Sequence, residues 1–121
     1  MQYNIKTTDF EMTKEVSSYL SDKLIMIEKF VDKNDKSIKC DVEIGKTTNR
    51  HQSGEIFRTE INISIGKQVL RSEAVGESMN AAIDEAKDEI IKRLSRKKSK
   101  HFTLIRKGGE KIKSALKFRW K

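Results

Sequence analysis

Apolar and polar residues alternate along several stretches of this chain and recur at helical spacing along two others. Ile38, Cys40, Val42 and Ile44 alternate with Lys39, Asp41 and Glu43, which predicts a half-buried strand. Phe57, Thr59, Ile61, Ile63 and Ile65 alternate in the same way and make the longest strand. Gly66-Lys67 then fits a two-residue hairpin turn with glycine at its first position. Leu70, Ser72 and Ala74 give the following strand an inward face of smaller side chains. Gln2 to Thr7, with Tyr3 and Ile5 on one face, reads as a short first strand. Val16, Leu20, Leu24, Ile27 and Val31 follow a three-and-four spacing, predicting a helix from an N-cap at Thr13 to about Asp32, broken by Asn34-Asp35. Met79, Ala82, Ile83, Ala86, Ile90 and Leu94 mark the apolar face of a second helix, with Ser78 able to cap it. Lys46 to Gly54 (KTTNRHQSG) has no pattern and reads as a loop.

These elements predict an α+β fold in the order β-α-β-β-β-α. The expected arrangement is a four-stranded antiparallel sheet with two helices packed on one face, followed by a basic C-terminal tail. Residues 1–100 form the expected domain and residues 101–121 the tail. Gly108-Gly109 interrupts the tail, and Ile112, Ala115 and Leu116 supply at most a short turn of helix, so the tail is expected to be mobile until it binds. The chain has no proline and no internal repeat, hence no sign of a rigid linker or a second domain.

Composition adds a charge map. Hydrophobic residues make up 36% of the 121 and charged residues another 36%, a compact core under a highly solvated surface. No apolar run approaches the roughly 18 residues of a membrane span, and the N-terminus shows no signal-peptide pattern. Cys40, the single cysteine, reads as a reduced, buried thiol of a cytoplasmic protein. Residues 1–95 hold 15 Lys+Arg and 17 Asp+Glu, whereas residues 96–121 hold 11 Lys+Arg and only Glu110. The whole net charge of +8 therefore lies at one end of the chain. A block of that kind points to a polyanion, and nucleic acid binding would draw its affinity from counterion release.

Catalytic chemistry finds no foothold. His51 and His101 lie in a polar loop and the tail without a second ligand at metal spacing. Gly108-Gly109 lacks the lysine, serine and preceding strand of a phosphate loop. Cys40 has no basic partner nearby in sequence. Asp84, Glu85, Asp88 and Glu89 read as the solvated face of a helix, interacting with Lys87, Lys92 and Arg93. The expectation is a non-enzyme without metal or cofactor. Binding has more support: Arg93, Arg96, Lys97 and Lys100 stand at i, i+3, i+4 and i+7, one cationic stripe able to track phosphates. Arg106, Lys107, Lys111, Lys113 and Lys117 continue the charge, and Phe118-Arg119-Trp120-Lys121 sets two aromatics among cations, suited to stacking on unpaired bases. A membrane-surface anchor built on Ile112, Leu116, Phe118 and Trp120 has too short an apolar face. A general double-stranded RNA or RNA-chaperone module is the alternative. Its lysines would stand at the start of the final helix, whereas here the cations gather at the end.

Leu70-Arg71-Ser72-Glu73, then Met79 to Asp84 with Ala82-Ile83-Asp84 at its centre, resembles the ribosome hibernation-promoting factors, also called ribosome-associated inhibitors. Ser21-Asp22-Lys23-Leu24 and Ile27-Glu28-Lys29-Phe30 are similar to that family's first helix, and the resemblance covers roughly residues 1–100. It implies the same element order and a partner, the small ribosomal subunit with its rRNA. Family members occupy its channel for messenger and the A- and P-site transfer RNAs and sterically block translation by idle ribosomes under stress. By position, Lys23 and Lys29 match the basic sites of the first helix, Arg93 and Lys97 those of the second, and Lys87 falls near a polar or basic site. Arg96, Lys100, Arg106, Lys107, Arg119 and Trp120 extend the expected rRNA-binding set along the basic end. Asn80 stands where an aromatic is common, and Ser78 replaces an acidic N-cap. Residues 101–121 resemble neither the acidic tail of some short members nor the dimerisation domain of long ones, so a monomer off the ribosome is expected.

Overall fold

The computed structural model describes residues 1–32, 34–47 and 56–108, with side chains as far as Arg96. The order is β1 (Gln2–Thr8), α1 (Lys14–Glu28), β2 (Lys39–Thr47), β3 (Ile56–Ile65), β4 (Gln68–Gly76) and α2 (Met79–Gly108). This is the expected β-α-β-β-β-α fold. The first two residues of the predicted loop, Lys46 and Thr47, extend β2 instead; residues 48–55 lie outside the described residues, as do 109–121.

The sheet runs β1-β2-β3-β4 and is mixed, not antiparallel. β2, β3 and β4 pair antiparallel through hairpin-type connections, but β1 pairs parallel to β2. The reason is α1: a helix between two neighbouring strands carries the chain back to the starting edge, so both strands run the same way. In that parallel pair Thr8 stands beside Gly45. A Cβ on Gly45 would lie 2.5 Å from the Thr8 carbonyl oxygen, so only glycine lets the edge strand close there. At the β3–β4 hairpin Ile65 pairs with Gln68 across Gly66-Lys67. Gly66 has φ +60 and Lys67 has no positive φ, the signature of a type II′ turn.

Both helix starts are capped as the sequence predicts. The Val16 amide donates to Thr13 Oγ1 at 3.2 Å, and the Ala81 amide donates to Ser78 Oγ at 3.1 Å. α1 stops at Glu28, short of Asp32, because the chain tightens: Phe30 and Val31 donate to the carbonyls three residues back. Val31 still reaches the core.

One apolar cluster fills the space between helices and sheet. Cys40, Val42, Ile44, Ile61 and Ile63 project from the sheet, Leu20, Leu24 and Ile27 from α1, and Met79, Ile83, Ala86, Ile90 and Leu94 from α2. Ser72 Oγ crosses the layer and donates to the Ala86 carbonyl at 2.8 Å, seating α2 on β4. Burial pushes the Cys40 thiol up to about 12.

The opposite sheet face is polar. Glu43, Glu60 and Glu73 stand in one cross-strand row, with Glu60 in register with both others. Arg58 bridges all three: Nη1 to Glu43 at 3.1 Å, Nε to Glu73 at 3.0 Å, and Nη2 to Glu60. Arg71 donates to Glu60 at 3.1 Å and to Glu73 at 3.0 Å, and Lys6 lies 3.7 Å from Glu43. This network ties all four strands together from the side away from the helices.

Candidate nucleic-acid interface

On the helix side the described domain carries Lys23, Lys29, Lys87, Lys92, Arg93 and Arg96. Lys23 lies on the flank of α1 that meets α2. Its ammonium sits 4.7 Å above the Tyr19 ring and 3.5 Å from Asp84 Oδ1 on α2. Lys87 approaches the same carboxylate at 3.3 Å and Asp88 at 2.6 Å, with only 9% of its side chain accessible. The Asp88 hydrogen bond, opposed by burial and helped by Asp84, holds the Lys87 ammonium above its ordinary range. Burial acts to raise Asp84, but Lys87 and Lys23 outweigh it and keep this carboxyl below its usual value. Lys23, Asp84, Lys87 and Asp88 thus form one zwitterionic seam joining the two helices.

The sequence-predicted residues divide accordingly. Lys23 and Lys87 are brought together around Asp84. Lys87 is engaged by two carboxylates inside the seam, a geometry that sets the helix pair rather than presenting a charge. Lys29, the C-cap of α1, is exposed. Arg93 is half-exposed and 3.3 Å from Glu89 one turn earlier, and Arg96 is exposed. With Glu85, Asp88, Glu89 and Lys92 they line a shallow depression on α2 that is acidic towards the helix start and basic towards its end. Lys97, Lys100, Arg106 and Lys107 continue on the α2 backbone, whereas Arg119 and Trp120 lie outside the described residues.

Sequence reasoning missed Tyr19 and Lys92 as members of this surface; it paired the α2 carboxylates with Lys87, Lys92 and Arg93, and the Lys87 and Arg93 contacts are present, but not with Lys23 of α1. Lys92 carried a usable signal: Glu85, Asp88, Glu89, Lys92 and Arg96 fall at i, i+3, i+4, i+7 and i+11. The Lys23–Asp84 contact had none, because 61 positions separate its members along the chain.

Chemically, this surface offers guanidinium donors along α2 and an ammonium donor at the end of α1, suited to phosphate oxygens. Among the described residues no group of three or more His, Cys, Asp or Glu could hold a metal ion. Among them too, no helix is long and apolar enough to cross a membrane.

Comparison with known proteins agrees with the element order. The family model described as sigma 54 modulation protein / S30EA ribosomal protein matches residues 3–101. Among solved structures, the N-terminal domain of Protein Y from Thermus thermophilus is similar at 21% identity and TM-score 0.63, covering 79% of this chain and 98% of that one. A ribosomal subunit interface protein from Coxiella burnetii is similar at 13% identity and TM-score 0.61, covering 82% of this chain and 99% of that one. With four strands and two helices in the family's order and the match spanning all but the basic end, the chain belongs to the sigma 54 modulation protein / S30EA ribosomal protein family of ribosome-associated hibernation factors.

Proposed function

We propose that the protein binds the small ribosomal subunit in the channel for messenger and the A- and P-site transfer RNAs, and holds idle ribosomes inactive by occupying it. The family is one of ribosome-associated factors that are not enzymes. Occlusion requires no chemistry: a rigid body held by phosphate contacts suffices. The observation that carries this reading is the pairing of a family match over residues 3–101 with a helix layer that exposes Lys29 at the end of α1 and Arg93 and Arg96 midway along α2. Lys23 is available at the rim of the seam, and an rRNA phosphate competing with Asp84 for its ammonium would take over its charge. Lys87 acts as a positioning residue that fixes α1 against α2. Lys97, Lys100, Arg106 and Lys107 add charge along α2, and Arg119 and Trp120 complete the proposed rRNA-binding set. The neutral Arg58 network on the far sheet face leaves that side as the outward surface of the bound protein. Such a factor acts in the cytoplasm.

The test is co-sedimentation of the purified chain with isolated small subunits. Stoichiometric pelleting is expected, with loss of binding by at least about tenfold in a Lys29→Glu/Arg93→Glu variant, since each reversal turns a charge-assisted phosphate contact into a repulsion. A variant that pellets as well as the parent chain would remove the helix layer from the interface.

A further inference from the structure

β4 ends the sheet, and among the described residues no strand pairs with its far side. Its register with β3 runs unbroken from Gln68 to Gly76, and it contains no proline. It therefore lacks the bulge and the proline that commonly keep a sheet edge from pairing. The two-residue turn at Gly66-Lys67 closes on a hydrogen-bonded pair, Ile65 with Gln68, and alternation makes Ile63–Leu70, Ile61–Ser72 and Thr59–Ala74 pairs of the same kind. The backbone N–H and C=O groups of Val69, Arg71, Glu73 and Val75 consequently point out from the edge, and among the described residues none has a backbone partner there. The side chains of these four residues are all exposed on the outer sheet face, Val69 at 60% and Val75 at 54%.

The order of residues along this edge is self-complementary. Turned end for end about Ser72, the strand sets Arg71 opposite Glu73, Val69 opposite Val75 and Leu70 opposite Ala74. Opposite charges, paired β-branched side chains, and a large side chain against a small one are favourable cross-strand neighbours. The backbone agrees with the side chains. Arg71 with Glu73, and Val69 with Val75, are the pairs whose N–H and C=O groups face outward, so each pair can exchange both of its hydrogen bonds. The Arg71 side chain is 59% accessible and gives only Nη2 to its own Glu60 and Glu73, which leaves Nε and Nη1 for a further carboxylate. The opposite edge has no such symmetry: turned about Ile5, β1 sets Lys6 opposite Asn4 and Gln2 opposite Thr8.

We propose that β4 is a self-recognition edge, at which two copies of this chain pair antiparallel about a two-fold axis at Ser72 and join their sheets into one. Each residue pair then occurs twice, as a two-fold interface requires. The outer-face row of Glu43, Glu60 and Glu73 continues into Arg71 of the second copy, so the charge network of one sheet runs on into the other. This pairing stands in place of the monomer expected from the sequence, and it does not rest on the ribosomal reading.

Sedimentation equilibrium of the purified full chain over a concentration series tests it, with two double variants at exposed positions outside the core and the Arg58 network. Val69→Lys/Val75→Lys sets like charges against each other across the axis, and Val69→Glu/Val75→Glu does the same with the opposite sign. The expected result is a reversible monomer–dimer equilibrium for the parent and at least about tenfold weaker self-association for each variant alone. Mixing the two variants should restore pairing, because lysine then faces glutamate. A parent chain that stays monomeric throughout overturns the proposal and leaves the edge to another occupant, whether residues 109–121 or a strand of a different protein. Parent-like pairing by the lysine variant puts the contact elsewhere and overturns it as well. So does a mixture of the two variants that remains monomeric.

Discussion

Replacing Arg58 by methionine removes the centre of the outer-face network while keeping an aliphatic stem of similar length. Arg58 pairs with Glu43, Glu60 and Glu73, and its side chain is 28% accessible, so each pair is only partly screened. Partly exposed ion pairs contribute about 0.2–1 kcal/mol each. Neighbouring strands lie about 5 Å apart. The two Glu–Glu neighbours left behind would then repel by on the order of 1 kcal/mol per pair in a solvent-like dielectric. Arg71 remains to offset Glu60 and Glu73, so the expected loss is about 2 kcal/mol at neutral pH. For a domain of this size that lowers the urea midpoint by roughly 1–2 M. The pH dependence identifies the cause. Asn62 and the two arginines hold Glu60 below its usual range, and Arg58 followed by Arg71 does the same for Glu73. A depressed carboxylate stabilises fully above its unfolded value, here 4.5, and loses that contribution as pH falls through its lower folded value. Parent and Arg58→Met proteins should therefore differ at about pH 7, and the gap should close as pH falls below 4.5 and these carboxylates become protonated in the folded state. Equal midpoints at neutral pH, or a gap that persists in acid, would refute the electrostatic account. Subunit binding by the folded variant should be unaltered, since the network faces away from the helices.

Other expectations follow from single contacts. Gly45→Ala places a methyl group 2.5 Å from the Thr8 carbonyl and should loosen the edge strand, costing about 1–3 kcal/mol in chemical denaturation and exposing β1 amides to faster hydrogen exchange. Cys40, buried and with its thiol pushed up to about 12, should resist alkylation in the native protein and react once after unfolding; rapid native labelling would contradict its place in the core. Lys87→Met should lower the thermal midpoint by a few degrees, about 1 kcal/mol, by leaving Asp84 and Asp88 without their shared partner, and should weaken subunit binding through the altered helix pairing. Subunit affinity should fall by orders of magnitude between about 50 and 200 mM salt, and a flat response would argue against phosphate contacts.

The fold was largely legible because its signals are local. Alternation at 38–44 and 57–65, the apolar stripe from Met79 to Leu94, the caps Thr13 and Ser78, and the turn at Gly66 each depend on residues within a few positions. What was not legible depends on distant pairing. β1 carries no mark of its direction, and its parallel register beside β2 arises only once α1 is seen to cross between them. Arg58 and its three glutamates come from three strands, and only register brings them into one row. The same limit applies to the interface. The cationic spacing from Arg93 to Lys100 was visible, but the seam that draws Lys87 inside and ties Lys23 to Asp84 was not. Helix length was underread for a different reason: the apolar stripe was followed only to Leu94, whereas the backbone stays helical to Gly108.

The central claim is that this domain and the ligands of translation compete for one place on the small subunit. The direct measurement is binding of initiator transfer RNA with messenger to isolated small subunits as the protein is titrated in. The account predicts mutual exclusion, with transfer RNA released at one protein per subunit and rebinding when the Lys29→Glu/Arg93→Glu variant replaces the parent chain. Simultaneous, saturable binding of protein and transfer RNA to the same subunit would contradict it.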